Sequence, residues 1–217
     1  MAFNTEYAKL VRIKTDNLND RGFKAKIKLP NSKTLPRAYD YINFYVGING
    51  YECGISIADR TEFKPNGAWK WRIFANGEGN TKKGEKSGDF FNDGDIVTLS
   101  IELNEQNKVV YKVNDAVFRS FDETVTNVVN SARLVIATNQ DTGYTPPLKQ
   151  WSVFHDQVRA YEMKYKNSSN NWVAFTMGNK VQTEEWPLGV ATPDRRKYIL
   201  DKTWIGNADV YASLKNL

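Results

Sequence analysis

The sequence predicts an all-β protein: two antiparallel sheets packed face to face as a jelly-roll-like β-sandwich, in a single domain spanning residues 1–217. Three observations predict it. Apolar and polar residues alternate with period two in run after run. Turn-forming Asn-Gly and Asp-Gly dipeptides fall between those runs. No linker rich in Pro, Gly or Ser divides the chain, and no fixed-period repeat marks a propeller or solenoid. Ten or more strands in one unbroken chain point to two packed sheets, with a closed barrel as the alternative.

The elements follow in order. In Gly22–Leu29, Phe23, Ala25 and Ile27 alternate with Lys24, Lys26 and Lys28, the pattern of an edge or outer strand with a charged face. Tyr41–Asn49 puts Ile42, Phe44, Val46 and Ile48 on one face and Tyr41, Asn43, Tyr45 and Asn49 on the other. Ala68–Ala75 is the next strand. Ile96–Leu103 turns Val97, Leu99, Ile101 and Leu103 inward and Thr98, Ser100 and Glu102 outward. Val109–Val113 and Ala116–Phe121 form a hairpin about Asn114-Asp115. Ala132–Thr138, Trp151–Lys166 and Trp172–Thr176 are further strands, and the second exceeds the usual strand length, so it bends or bulges. Turns fall at Asn49-Gly50, Asn66-Gly67, Asn76-Gly77 and Asp93-Gly94. Gly77–Gly88 reads as a mobile polar loop whose glycines do not lead a strand into a helix, so it is no phosphate cradle. Asp122–Ser131 is a short helix or loop and Asn207–Leu217 a terminal turn, with the last forty residues wrapping around the sandwich.

Composition narrows the function. One cysteine excludes an internal disulfide and a Cys-based zinc site, and one histidine excludes His-rich metal sites. No run of about 18 apolar residues exists, so no membrane span is expected. The net charge of +5 comes from 30 basic and 25 acidic residues that largely interleave. Lys82, Lys83 and Lys86, and Arg195, Arg196 and Lys197, are solvated groups rather than a groove interleaved with aromatics, so no nucleic-acid partner is expected. Scarce cysteine with 22 asparagines suits a secreted or cell-surface bacterial protein. Met1–Leu10 lacks the apolar core of a leader, which is therefore absent from this chain. Asn167-Ser168-Ser169 fits the glycosylation acceptor pattern, which is common by chance.

The aromatic residues suggest a site. A sugar offers an apolar C–H face and a rim of hydroxyls, so it calls for an aromatic platform beside amide and charged groups. Tyr41, Asn43, Tyr45 and Asn49 supply this on one strand face, and Trp69, Trp71 and Arg72 lie on the following strand. Trp69 and Trp71 are about 6.8 Å apart on one face. They either line a saccharide- or peptide-sized groove or belong to the core, where Trp is often largely buried.

The run Tyr45-Val46-Gly47-Ile48-Asn49-Gly50, then Cys53-Gly54-Ile55-Ser56-Ile57 and Ala68-Trp69-Lys70-Trp71, resembles the corresponding part of the glutamic peptidases (eqolisins). The resemblance extends weakly through Phe91–Leu103. It implies a concanavalin A-like β-sandwich and the position of a groove. Where that family's catalytic glutamine is expected, this chain has Ala58-Asp59. Where the glutamate would fall, Arg133 and Ala137 stand and no carboxylate does. The resemblance therefore carries the fold but not the peptidase mechanism.

Other constellations give the alternatives. In Trp151–Gln157, His155 lies on the face of Trp151 and Val153, and with Tyr161 it is the candidate catalytic pair of a polysaccharide lyase or hydrolase, supported by Gln157, Arg159 and Lys164. A structural histidine is the competing reading. Glu102, Asp156 and Glu162 are separate carboxylates without the paired spacing of a glycosidase. Asp93 and Asp95 form a weak calcium candidate or an ordinary turn. Cys53, on a turn between strands, is a buried small hydrophobe. The favoured function is a non-catalytic, lectin-like protein binding carbohydrate or another small extracellular ligand, without a cofactor. A surface adhesion protein of unknown ligand is the third reading.

Overall fold

The computed structural model describes residues 7–35, 40–77, 85–129, 131–140, 153–176, 181–186, 198–205 and 209–216. In chain order the strands are β1 (Tyr7–Lys14), β2 (Gly22–Lys28), β3 (Lys33–Thr34), β4 (Asp40–Ile48), β5 (Tyr51–Ala58), β6 (Trp71–Asn76), β7 (Glu85–Phe91) and β8 (Ile96–Leu103). They continue with β9 (Lys108–Val113), β10 (Ala116–Thr124), β11 (Arg133–Gln140), β12 (Val153–Lys166), β13 (Trp172–Ala174), β14 (Val181–Trp186), β15 (Tyr198–Ile205) and β16 (Asp209–Asn216). Two antiparallel sheets result. The first runs β14-β1-β11-β4-β5-β6-β7, the second β10-β9-β8-β2-β12-β16-β15, with β3 and β13 also paired to β12. This is the expected two-sheet sandwich.

Alternation explains the core. The inward residues of β4 (Ile42, Phe44, Val46, Ile48) meet those of β2 and β8 (Phe23, Ala25, Ile27, Val97, Leu99, Ile101), all fully buried in one cluster. Phe44 joins the sheets, stacking on Trp71 at 5.1 Å and meeting Phe154 of β12 edge-on at 5.6 Å. The buried Tyr111 hydroxyl donates to the Gly54 carbonyl across the core at 3.1 Å. A buried phenol without such an acceptor would be costly.

Several expectations change. β2 is an interior strand between β8 and β12, not an edge. Its outward lysines form ion pairs, Lys24 with Asp115 at 2.5 Å and Lys26 with Glu162 at 2.7 Å. Residues 68–70 are not strand: two 3-10 turns, Thr61–Phe63 and Pro65–Gly67, delay β6 until Trp71. Cys53 lies inside β5 rather than on a turn, and it is buried. β7 occupies the end of the glycine-rich stretch expected to be loop, while residues 78–84 lie outside the described residues. β10 and an irregular segment replace the possible helix after Asp122, and β16 replaces the terminal turn.

Turn chemistry acts as expected. Asn114 and Asp115 both take positive φ (50° and 65°), which matches the hairpin to the strand twist. The long β12 bulges at Glu162 (φ 49°), where its register with β2 shifts between Tyr161 and Lys164. No described helix is long and apolar enough to cross a membrane.

Candidate functional site

With the aliphatic face of β4 committed to the core, Asn43 and Tyr45 project from the outer face of the first sheet, where neighbouring strands supply the rest. In register, Val135 of β11, Tyr45, Gly54 of β5 and Phe74 of β6 form one row across the sheet. Ala137, Asn43, Ser56 and Arg72 form the next. Tyr45 packs against a small apolar cluster of Leu10, Val135 and Ala137, separate from the main core. Its ring meets that of Phe74 edge-on at 6.2 Å.

Gly54 makes this approach possible. A Cβ there would stand 2.5 Å from Tyr45 Cβ and 2.2 Å from the Phe44 carbonyl oxygen. The two rings therefore converge over a position without a side chain. Beside them, the Arg72 guanidinium lies 5.8 Å from the Phe63 ring and 5.5 Å from that of Phe90. The arrangement is an aromatic pair flanked by amide, hydroxyl and guanidinium groups.

The other candidate residues fall elsewhere. Tyr41 lies at the rim, with the Arg60 guanidinium 4.5 Å from its ring and donating to its hydroxyl. Asn49 is buried in the β4–β5 turn, where its amide donates to the Asn127 carbonyl at 2.9 Å and accepts from Val129 N–H at 2.8 Å. It holds a loop in place. Trp69 is 42% exposed on the segment before β6, beneath the Lys64 ammonium at 4.3 Å. Trp71 is fully buried, and its indole N–H donates to Asp93 Oδ1 at 2.9 Å. Trp69 and Trp71 thus do not share a strand face. The inward phase of Trp71 turns Arg72 and Phe74 outward, and Phe74 was missed with that phase, as were Ser56 on β5 and Phe90 on β7, two strands the alternation did not reveal.

The remaining candidates are dispersed. Val153 and Phe154 are both buried, and a register shift between Phe154 and Val158 leaves His155 exposed, away from the face of Val153. Trp151 lies outside the described residues. Tyr161 lies six residues further along β12, roughly 20 Å at about 3.3 Å per residue, with the Arg159 guanidinium 4.2 Å from its ring. One proton-transfer site cannot use both. Glu102 bonds Lys112 at 2.5 Å and Lys166 at 2.7 Å, and Asp156 accepts from the Asn31 N–H at 3.2 Å. Asp93 is held by Lys33 at 2.5 Å as well as by Trp71, and Asp95 Oδ2 accepts from Asn92 N–H at 2.7 Å, so both serve the turn. Among the described residues no group of three His, Cys, Asp or Glu is arranged to hold a metal ion.

At the positions where the sequence resemblance leads us to expect the catalytic pair, Asp59 lies 2.9 Å from Lys64 Nζ, and Arg133 donates to Glu52 Oε1 at 3.2 Å and to the Asn49 carbonyl at 2.9 Å. Two carboxylates of this region, Asp59 and Glu52, are thus engaged by cations.

No family model matches the sequence, and no curated protein matches it. Among solved structures, the chain is similar to Scytalido-glutamic peptidase with a peptide-based transition-state analogue, with a TM-score of 0.62 at 11% identity, covering 97% of this chain and 98% of that one. It is likewise similar to SCP-B, a member of the Eqolisin family of peptidases in complex with the tripeptide Ala-Ile-His, with a TM-score of 0.53 at 11% identity over 97% and 98% of the two chains. The concanavalin A-like sandwich and the eqolisin resemblance hold at the level of fold.

Proposed function

We propose that this protein is a non-catalytic, lectin-like β-sandwich that binds carbohydrate on the outer face of its first sheet. The observation that carries this reading is the Tyr45–Phe74 pair, 6.2 Å apart over Gly54 and bordered by Asn43, Ser56 and Arg72. The rings offer an apolar platform to the C–H face of a sugar. Asn43 offers its amide to the sugar hydroxyls, Arg72 offers its guanidinium from beside Phe63 and Phe90, and Tyr41 closes the rim. The ion pairs of Asp59 and Glu52 support a binding rather than a hydrolytic role. This reading goes with a protein that works outside the cell or on its surface.

The test is a glycan array followed by calorimetric titration of the best ligand. Tyr45→Ala and Phe74→Ala are each expected to weaken binding about tenfold, the equivalent of 1.4 kcal/mol. A folded protein that binds no glycan, or a Tyr45→Ala variant that binds unchanged, overturns the reading. A second reading, an extended peptide on the same face, is favoured by the two eqolisin structures, one with a peptide-based analogue and one with a tripeptide. Titration with Ala-Ile-His separates the two.

A further inference from the structure

The sequence contains three Asn-Gly pairs, Asn49-Gly50, Asn66-Gly67 and Asn76-Gly77. Each carries a latent reaction that needs no enzyme. The backbone nitrogen of the glycine can attack the side-chain amide carbon of the asparagine, because glycine has no Cβ to hinder the approach and turns freely about its backbone. The fold holds the three pairs in different states. Asn49 is locked: it is 2% exposed, its amide donates to the Asn127 carbonyl at 2.9 Å, and its Oδ1 accepts from Val129 N–H at 2.8 Å. Its own carbonyl accepts from Arg133 at 2.9 Å, which fixes the following peptide as well. Asn76 closes β6 in register with Glu52 of β5, and Gly77 is buried.

Asn66 has neither restraint. Asn66 and Gly67 are both exposed, in the short 3-10 turn Pro65–Gly67 that precedes β6. The Asn66 side chain has no hydrogen-bond partner among the described residues. The space about Gly67 is open, since a Cβ there would meet no atom within 4 Å. Two backbone bonds hold the turn, from Gly67 N–H to the Lys64 carbonyl at 3.2 Å and from Ala68 N–H to the Pro65 carbonyl at 3.4 Å. Asn66 itself sits in the left-handed region, at φ 54° and ψ 31°. Rotation about that ψ releases the Gly67 nitrogen from Lys64 and swings it toward the Asn66 amide carbon. A single exposed turn with few buried contacts belongs to the parts of a fold that open at low cost.

We propose that Asn66 is a site of spontaneous covalent modification, converted to aspartate and isoaspartate through a succinimide. The Gly67 nitrogen gives up its proton and bonds to Asn66 Cγ, the bond from Cγ to the side-chain nitrogen breaks, and that nitrogen leaves with a proton as ammonia. Water then opens the five-membered ring. Attack at Cγ returns an aspartate, and attack at the backbone carbonyl leaves the chain running through Cγ as isoaspartate. Either product puts a carboxylate where a neutral amide stood, and isoaspartate adds one atom to the backbone. The new charge lies two residues from Lys64, whose ammonium is 2.9 Å from Asp59 and 4.3 Å from the Trp69 ring. The same segment carries Phe63, whose ring lies 5.8 Å from the Arg72 guanidinium. The modification thus falls beside the aromatic platform, and it occurs whatever that platform binds.

The test incubates the full chain at mildly alkaline pH, folded and in denaturant, and follows each Asn-Gly pair by peptide mapping with mass spectrometry. In the folded protein Asn66 is expected to react at least about tenfold faster than Asn49 and Asn76, and in denaturant the three rates converge. Ammonia release shows the same fast phase, and Asn66→Gln, whose longer side chain does not close the five-membered ring, removes it. Circular dichroism checks that this variant is folded. Gly67→Ala is a poorer probe, because Gly67 has a φ of 81° and a Cβ there strains the turn. Asn49 or Asn76 reacting as fast as Asn66 in the folded protein overturns the proposal. So does an Asn66 that stays intact while the denatured chain reacts completely. A product that is aspartate alone, with no isoaspartate, overturns the succinimide route.

Discussion

Replacing Trp71 by Phe separates the two places this residue could serve, the core and the ligand face. Phe retains a ring to stack on Phe44, which Trp71 meets at 5.1 Å and 24°. It loses the indole N–H that donates to Asp93 Oδ1 at 2.9 Å, while Lys33 keeps its bond to that carboxylate. A hydrogen bond to a charged group contributes about 1.5–3 kcal/mol. The smaller ring also leaves a void, at about 24 cal/mol per Å³, costing roughly 1 kcal/mol more. The sum, about 3 kcal/mol, corresponds in a chain of this size to a midpoint lowered by roughly 6–12 °C. Thermal melts followed by circular dichroism measure it, with saccharide titration in parallel at a temperature where both proteins are folded. A midpoint within about 2 °C of the parent together with lost binding would place the indole on the ligand face and refute the reasoning.

Three further outcomes follow from the same structure. Gly54→Ala forces a Cβ to within 2.2 Å of the Phe44 carbonyl oxygen, so urea titration should show a loss of about 1–3 kcal/mol, with saccharide binding weakened as Tyr45 is displaced. Burial opposes the charge of Glu102, but hydrogen bonds from Lys112 and Lys166 outweigh it and hold its carboxyl below the usual carboxylate range. This stabilisation is full above the ordinary carboxylate pKa and is lost as the pH falls through the lowered folded value. Glu102→Gln should therefore cost roughly 3 kcal/mol at neutral pH and flatten the acid side of the stability curve, and an unchanged acid slope would show that Glu102 does not set it. Burial also pushes the Cys53 thiol far up, so in the native protein it should resist Ellman's reagent at mildly alkaline pH and react fully in denaturant. Rapid native labelling would show that β5 opens readily.

Legibility in the sequence tracked the strength of alternation. β4 and β8 were readable almost to the residue, because each buries one face completely and leaves polar groups on the other. β5 was not, since Cys53 through Ala58 are buried without interruption and alternation vanishes. Around Trp69 the reading assumed extended backbone, whereas Asn66 takes a φ of 54° between two 3-10 turns. That shift removed Trp69 from the strand, sent Trp71 inward and concealed Phe74. The Tyr45 half of the platform was legible because it shares a strand with an obvious core face. The pocket lined by Arg12, Glu52 and Arg133 was not, because register alone brings these residues together from β1, β5 and β11.

The place of β1 inside the first sheet has a consequence for how this chain is made. Tyr7–Lys14 is paired on one side with Arg133–Gln140 and on the other with Val181–Trp186. Its first partner emerges about 130 residues later, which at 5–20 residues per second means roughly 7–26 s of synthesis. Until then β1 has both edges bare, and Val11 and Ile13, buried in the finished sandwich, have nothing from those partners to cover them. Contacts of such long range also make for slow folding. A ribosome stalled before β11 would leave that strand open to pairing with neighbouring chains.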